Sequence, residues 1–245
     1  MQVRRAVILW AGFGRRISAE YGGIHKATIL LSGRTLASRL LENIYRAGIR
    51  EIIPILGYKS EDIVKEIKEF GKFDEVTPVL NERYRETNNL FSICQAKDLL
   101  SGKDFVVVNG DMVFDYRILY DICQLEGNAV ATDINEYPYM IDSPRVKLGS
   151  LGNIEDIGRH MERIDANGYA VGIYKFSSDY SKRYFEDGVR IANANLNAGY
   201  HEPLEECFSD VEWKISPTNN YEWMDVDEKA DIAKAEAMIS RIENG

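Results

Sequence analysis

The sequence predicts an α/β fold built on a mostly parallel sheet with helices on both faces. Over the first 130 residues, short apolar runs alternate with segments of helical periodicity. One run, Phe105–Asn109, is almost wholly apolar, as a strand covered on both faces must be. Turn-forming glycines such as Gly33 and Gly48 fall between the two kinds of segment.

Val3–Leu9 reads as a buried strand that ends in the glycine-bearing stretch Ala11–Arg16. Ala27–Leu31 and a Ser32-Gly33 turn follow. Thr35–Ala47 is helical, with Leu36, Leu40, Ile44 and Ala47 on one face and Gly48 placed to stop it. Glu51–Gly57 is a strand, and Ser60 caps a helix through Phe70 whose first turn carries Glu61 and Asp62. Val76–Leu80 is a strand, Leu90–Leu100 a helix, Phe105–Asn109 a strand, Tyr116–Leu125 a helix and Ala129–Thr132 a strand. The stretch Asp133–Gly152, with two prolines and two glycines, reads as a loop or small hairpin over the site. Gly168–Phe176 is a strand, Asp179–Phe185 a short helix, and Ile191–Phe208 contains more helix. Val211–Ile215 and Glu222–Val226 are strands, and Glu228–Ile242 is the last helix. With no repeat or linker in view, residues 1–245 read as one domain with an acceptor-side insertion at about 133–152.

At 245 residues, 45% hydrophobic and 28% charged, the composition is that of a globular protein. Its apolar runs are too short to cross a bilayer, and the first residues lack the apolar core of a signal peptide. Cys94, Cys123 and Cys207 lie far apart, which fits reduced cytoplasmic thiols better than disulfides or a zinc site. A net charge of −9 argues against nucleic-acid binding. Yet residues 1–50 carry nine Lys/Arg against two Glu, so this segment is either a local anion site or a solvated basic surface.

Three segments carry chemistry. In Leu9-Trp10-Ala11-Gly12-Phe13-Gly14-Arg15-Arg16, glycines at a strand end let backbone N–H groups approach phosphate oxygens, or merely make a turn. Arg16 and the downstream Lys26 are the cations that would neutralise a triphosphate. A dinucleotide fingerprint would need a third glycine where Ile17 stands. Gly110-Asp111 ends the apolar strand at a sheet edge, where a carboxylate suits Mg²⁺ carrying phosphates or simply serves a turn. In Trp223-Met224-Asp225-Val226-Asp227, two carboxylates two residues apart on a strand face one spot and call for a cation between them. The alternative is that Asp227 caps the last helix.

The order of a Gly-x-Gly-x-Arg loop, a downstream lysine, a Gly-Asp and a late Trp-x-Asp resembles the nucleotidyltransferase family that activates sugar and alcohol phosphates. The likeness runs from Val7 to about Ala237. Asn81-Glu82-Arg83-Tyr84 followed by Asn88-Asn89-Leu90-Phe91-Ser92-Ile93 resembles a stretch of its phosphocholine cytidylyltransferase branch. Glu222–Asp227 is similar to the closing strand of that branch and of the inositol-phosphate and phosphonate cytidylyltransferases. Val146–Leu148, Ile154–Arg159 and Ala170–Ile173 resemble the branch's middle segment.

The resemblance implies a Rossmann-like mixed, mostly parallel sheet of the nucleotide-diphospho-sugar transferase type. It implies transfer of CMP from CTP to a small phosphate or phosphonate acceptor with release of pyrophosphate, in a cytoplasmic monomer or homodimer that binds no membrane. Arg16 and Lys26 would be catalytic; Ala11, Gly12, Gly14, Asn88, Asn89 and Gly110 would bind the nucleotide. Lys147, Arg159 and Glu202 would meet the acceptor, and Asp111 with Asp225 or Asp227 would hold Mg²⁺. Two departures stand out: Trp10 replaces the family's alanine, and His25 precedes Lys26 where the family has proline. His201-Glu202 reads as helix surface or as a contact to an acceptor amine. The alternatives are a sugar-1-phosphate nucleotidyltransferase using UTP or dTTP, and a catalytically silent nucleotide-binding relative.

Overall fold

The computed structural model describes residues 3–14, 16–17, 21–135 and 143–244. Its strands are β1 (Arg5–Trp10), β2 (Leu30–Leu31), β3 (Arg34–Thr35), β4 (Glu51–Leu56), β5 (Glu75–Val76), β6 (Val79–Leu80) and β7 (Phe105–Asn109). These are followed by β8 (Met112–Phe114), β9 (Asn128–Asp133), β10 (Arg145–Leu148), β11 (Ile154–Gly158), β12 (Gly168–Phe176), β13 (Trp213–Pro217) and β14 (Trp223–Asp225). The helices are α1 (Leu36–Arg46), α2 (Ser60–Phe70), α3 (Asn89–Cys94), α4 (Lys97–Leu100), α5 (Tyr116–Gln124), α6 (Ser178–Ala194), α7 (Glu202–Glu205) and α8 (Lys229–Asn244).

One mixed sheet organises them, in the order β11-β10-β12-β7-β1-β4-β5, with β6 beside β4 and with β9 and β13 branching from β12. β1 runs parallel to β4 and β7, while β12 pairs antiparallel with β7. Side chains alternate along β1. Ala6 and Ile8 pack on one face with Leu40 and Ile44 of α1, Ile63 and Ile67 of α2, and Ile118 and Ile122 of α5. Val7 packs on the other with Leu90 and Ile93 of α3, Leu100 of α4, and Tyr184 and Phe185 of α6. A third cluster joins Ala235, Met238 and Ile239 of α8 to Ile17, Leu31, Val113 and Val226, and so seats the two-stranded β8–β14 ribbon on the body.

β7 and β12 lie at the expected bounds, and most other elements within two residues of theirs. Four expectations are corrected. Ser60 is the first residue of α2 rather than its cap; Lys59, in the left-handed region at φ 44°, precedes it without a side-chain bond. Val76–Leu80 splits into β5 and β6 around Thr77-Pro78, because proline cannot donate to a ladder. Leu90–Leu100 is two short helices, α3 and α4. The helix expected over Asp179–Phe185 continues as α6 to Ala194 through Gly188, where an added Cβ would lie 3.2 Å from Cys94 Sγ, so the glycine lets α6 approach α3. Of the expected insertion at about 133–152, Arg145–Leu148 is β10, which pairs as a hairpin with β11 just beyond it, and residues 136–142 lie outside the described ones. Among the described residues, no helix is long and apolar enough to cross a membrane.

Candidate active site

β1 and β7 are parallel, with Leu9 level with Asn109, so both strands release their chains at the same sheet edge. β4 follows on one side and β12 on the other, which makes this edge the crevice where α/β sheets take ligands. In the β1 exit loop, Gly14 has φ 57°, a turn requirement. Gly12 has no such need: a Cβ there would meet no protein atom within 4 Å. The space beside it is open to a ligand. In the β7 exit, Trp10 Nε1 donates to Gly110 O at 2.9 Å, and a Cβ on Gly110 would run into the Trp10 ring. Trp10, 2% exposed, therefore both fills core and braces the backbone that presents Asp111.

Lys26 is carried by a tight turn, Lys26–Thr28, capped by His25. The Ala27 N–H donates to His25 Nδ1 at 3.1 Å, so Nε2 carries the ring proton and donates to Trp10 O at 3.0 Å. Burial holds this imidazole below its ordinary pKa, and hence neutral. His25 has φ −67°, the value a proline ring imposes; the imidazole's two bonds fix the turn in its place.

Lys26 Nζ lies 2.9 Å from Asp111 Oδ2 and 2.6 Å from Asp227 Oδ1. Burial opposes its charge, but Asp111 and Asp227 outweigh burial and raise its pKa. Asp227, which burial would push up, is held low by Lys26 and Arg16, whose Nη2 is 3.2 Å away. Asp225 behaves oppositely: burial, then Asp111 and Asp227, push its carboxyl well above the usual range. Its Oδ1 is out of solvent and has no hydrogen-bond partner among the described residues.

Three hollows of about 410, 210 and 220 Å³ meet at Asp111. The 210 Å³ lobe is lined by Gly12, Gly14, Arg16, Lys26, Gly110 and Asp227. The 220 Å³ lobe runs between Ala11-Gly12 and Tyr84, Thr87, Asn88, Asn89 and Ser92. The 410 Å³ lobe reaches from Asp225 and Asp227 past Asn109 to Arg159, Tyr200 and His201. Thus the structure brings together Ala11, Gly12, Gly14, Arg16, Lys26, Asn88, Asn89, Gly110, Asp111, Arg159, Asp225 and Asp227.

Two expected acceptor residues line none of the three lobes. Lys147 is exposed on β10, paired in register with Asp156 of β11. Glu202 turns inward, its Oε1 accepting from Gly199 N at 2.6 Å. The asparagines do more than line a wall. Asn88 Nδ2 donates to Asn197 O, and Asn89 Oδ1 accepts from Tyr200 N, so they pin the segment that carries Tyr200 and His201. His201 is buried rather than helix surface, and burial, then Arg159 and His160, lower its pKa to about 4. The Tyr200 hydroxyl donates to Asn109 Oδ1 at 3.1 Å, a contact across 91 residues that no local pattern signals. Asp227 does not cap α8 with its side chain; Asp231 Oδ2 accepts from Asp227 N and Glu228 N instead.

Residues 6–144, more than half of the chain, match the MobA-like NTP transferase domain. The chain belongs to that family. As an NTP transferase it is 27% identical over 97% of its length to a bifunctional IPC transferase and DIPP synthase of Aquifex aeolicus, spanning 52% of that protein. It is 24% identical over 96% of its length to a CMP-5'-(3-aminopropyl)phosphonate synthase of Streptomyces rubellomurinus, spanning 39% of it. Over 46% of its length it is 30% identical to 46% of a choline-phosphate cytidylyltransferase of Haemophilus influenzae. The chain thus spans about half or less of these curated relatives. In structure it matches an inositol-1-phosphate CTP transferase from T. maritima with a TM-score of 0.84 at 17% identity, covering 100% of this chain and 99% of that one. The CTP:phosphocholine cytidylyltransferase of Streptococcus pneumoniae gives 0.78 at 17% identity, covering 98% and 100%. At such identities the likeness is one of fold, and the fold is that of the nucleotide-diphospho-sugar transferases.

Proposed function

We propose that the protein transfers CMP from CTP to a small phosphorylated or phosphonylated acceptor and releases pyrophosphate. The observation that carries this reading is the meeting of three lobes at Asp111, beside a lysine held charged. One lobe has the open Gly12, with Gly14 and the cations Arg16 and Lys26, that suit a triphosphate; a second suits a base, and the third suits an acceptor. The choice of CTP rests on the likeness to the CMP-phosphonate synthase, the choline-phosphate cytidylyltransferase and the two CTP-using transferases described above.

In this reading an acceptor oxyanion attacks the α-phosphorus as the bond to the β-phosphate oxygen breaks, and pyrophosphate leaves with the electron pair. No general base is needed, because phosphate and phosphonate oxygens are ionised at neutral pH. Lys26 stabilises charge on the α-phosphoryl oxygens, Arg16 and the Gly12–Gly14 backbone take the leaving phosphates, and Arg159 meets the acceptor's anion.

The residues fit a magnesium ion. Asp225, whose Oδ1 has no hydrogen-bond partner among the described residues, lines the same lobe as Asp111, and carboxylate oxygens are the donors a hard divalent cation takes. Among the described residues no group of three or more His, Cys, Asp or Glu is placed to hold a metal ion, so in this reading the rest of the ion's shell would come from phosphates and water. Asp111 and Asp225 would hold it, while Asp227 anchors Lys26 and Arg16. Bound there, Mg²⁺ would supply charge neutralisation for the triphosphate.

The test is pyrophosphate release with Mg²⁺, crossing CTP, UTP, ATP, GTP and dTTP with phosphocholine, 2-aminoethylphosphonate, 2-hydroxyethylphosphonate, inositol 1-phosphate and glucose 1-phosphate. Release with CTP and a small acceptor is the expected result. Release confined to UTP or dTTP with the sugar phosphate contradicts the reading.

A further inference from the structure

The base-side lobe contains a hydrogen-bond circuit that the transfer chemistry leaves unexplained. Asn81, 1% exposed, lies just after β6. The Arg83 N–H donates to Asn81 Oδ1 at 2.9 Å. A backbone N–H can only donate, so this bond fixes which end of the amide is oxygen. Nδ2 therefore faces two hydroxyls, donating to Thr87 Oγ1 and to Ser92 Oγ, each at 3.0 Å. Those bonds use both of its hydrogens. The hydroxyl hydrogens are committed in turn: Thr87 Oγ1 donates to Arg83 O at 2.9 Å and Ser92 Oγ to Asn88 O at 3.2 Å. A hydroxyl has one hydrogen and two lone pairs. Each of these keeps one lone pair and no hydrogen to give. Both residues line the lobe with Ala11, Gly12 and Tyr84.

We infer that Asn81 is a positioning residue for base selection: by fixing Thr87 and Ser92 as hydrogen-bond acceptors, it makes the lobe favour a base with an exocyclic amino group, as cytosine has, over one with a carbonyl there, as uracil and thymine have. The inference rests on the proposed cytidylyl transfer. An amino group gives its hydrogens to these oxygens. A carbonyl meets lone pairs, and relief requires a hydroxyl to break its bond to the main chain. A mismatch of this kind is worth roughly 10- to 100-fold in specificity.

The experiment compares kcat/KM for CTP and for UTP, with Kd for each nucleotide, in the wild type, Asn81→Ala, Thr87→Val, Ser92→Ala and Thr87→Ser. The wild type favours CTP. Asn81→Ala leaves the main-chain acceptors in place but removes the donor that bars either hydroxyl from turning its hydrogen off them, and the two single deletions each remove an acceptor. These three variants lower the CTP:UTP ratio by roughly 10- to 100-fold, through KM and Kd more than through kcat. Thr87→Ser, which keeps the hydroxyl, keeps the ratio. If Asn81→Ala does not fold, Thr87→Val and Ser92→Ala decide the matter. Wild-type ratios in every folded variant, with CTP still preferred, overturn the inference and leave the proposed transfer standing. A wild type that prefers UTP overturns both.

Discussion

Lys26 gathers the site's electrostatics into one side chain. It sits 9% exposed between two carboxylates, each more than a third exposed, so its charge survives burial because the partners are close and partly hydrated. Lys26→Met is expected to lower kcat by about 10²–10³-fold, the loss typical of removing one preorganised donor from developing charge. With both partners half in solvent, the stability cost is expected to be on the order of 1–2 kcal/mol. Steady-state kinetics and urea unfolding separate the two effects. A variant with near-normal turnover contradicts the role given to Lys26. Asp111→Asn is expected to lower turnover as strongly, in the same assay. His201 supplies a pH dependence with a definite sign. Its unfolded value is 6.5 and its folded value about 4, so the unfolded chain binds the proton first. The stability of a neutral His201 is full above pH 6.5 and declines as pH falls toward 4, by an amount on the order of 3 kcal/mol. Urea midpoints at pH 7 and pH 4 should therefore fall less in His201→Gln than in the wild type.

At the scale of elements, the bulge in β12 is where strand geometry meets the site. The register with β9 shifts between Ala170 and Tyr174, and Gly172 takes φ 78°. A Cβ there would lie 2.5 Å from Asn109 Nδ2, the amide whose oxygen receives the Tyr200 hydroxyl. Gly172→Ala is expected to cost about 1–3 kcal/mol in urea unfolding and to displace Asn109. An unchanged midpoint contradicts that account. β1, β4 and β7 were readable from sequence because each is an apolar run between turn signals. The glycine loop, Lys26 and Asp111 were readable as well, since each lies at or near the end of such a run. β11 was not, because Ile154-Glu155-Asp156-Ile157-Gly158 is short and acidic and is a strand only by pairing with β10. Lys147 and Glu202 lie outside the three lobes for a related reason: a likeness of sequence transfers position along the chain, whereas orientation is set by hairpin register and by a bond to Gly199 N. Tyr200 had no signal at all, because its partner Asn109 lies 91 residues away; Asn81 opened a stretch that carried the resemblance, but a likeness of sequence does not say which groups its amide bonds.

For the molecule as a whole, the distribution of charge matters more than the net −9. The basic first fifty residues contribute Arg16 and Lys26 to a crevice whose other wall brings Asp111, Asp225 and Asp227. The proposed triphosphate with magnesium would meet both walls at once, and its binding to the folded state alone is expected to raise the unfolding temperature. At 100 times Kd the gain is about 2.7 kcal/mol, readable as a concentration-dependent shift in a thermal melt. The central claim is that the α-phosphoryl group moves and the β- and γ-phosphates leave together. It is tested most directly by incubating the enzyme and Mg²⁺ with the acceptor panel and CTP labelled either at the α- or at the γ-phosphorus. The account predicts that α-label enters a new diphosphate-linked product and that γ-label appears only in pyrophosphate. Gamma-label in the acceptor, or α-label that never leaves CTP with any acceptor, would contradict it.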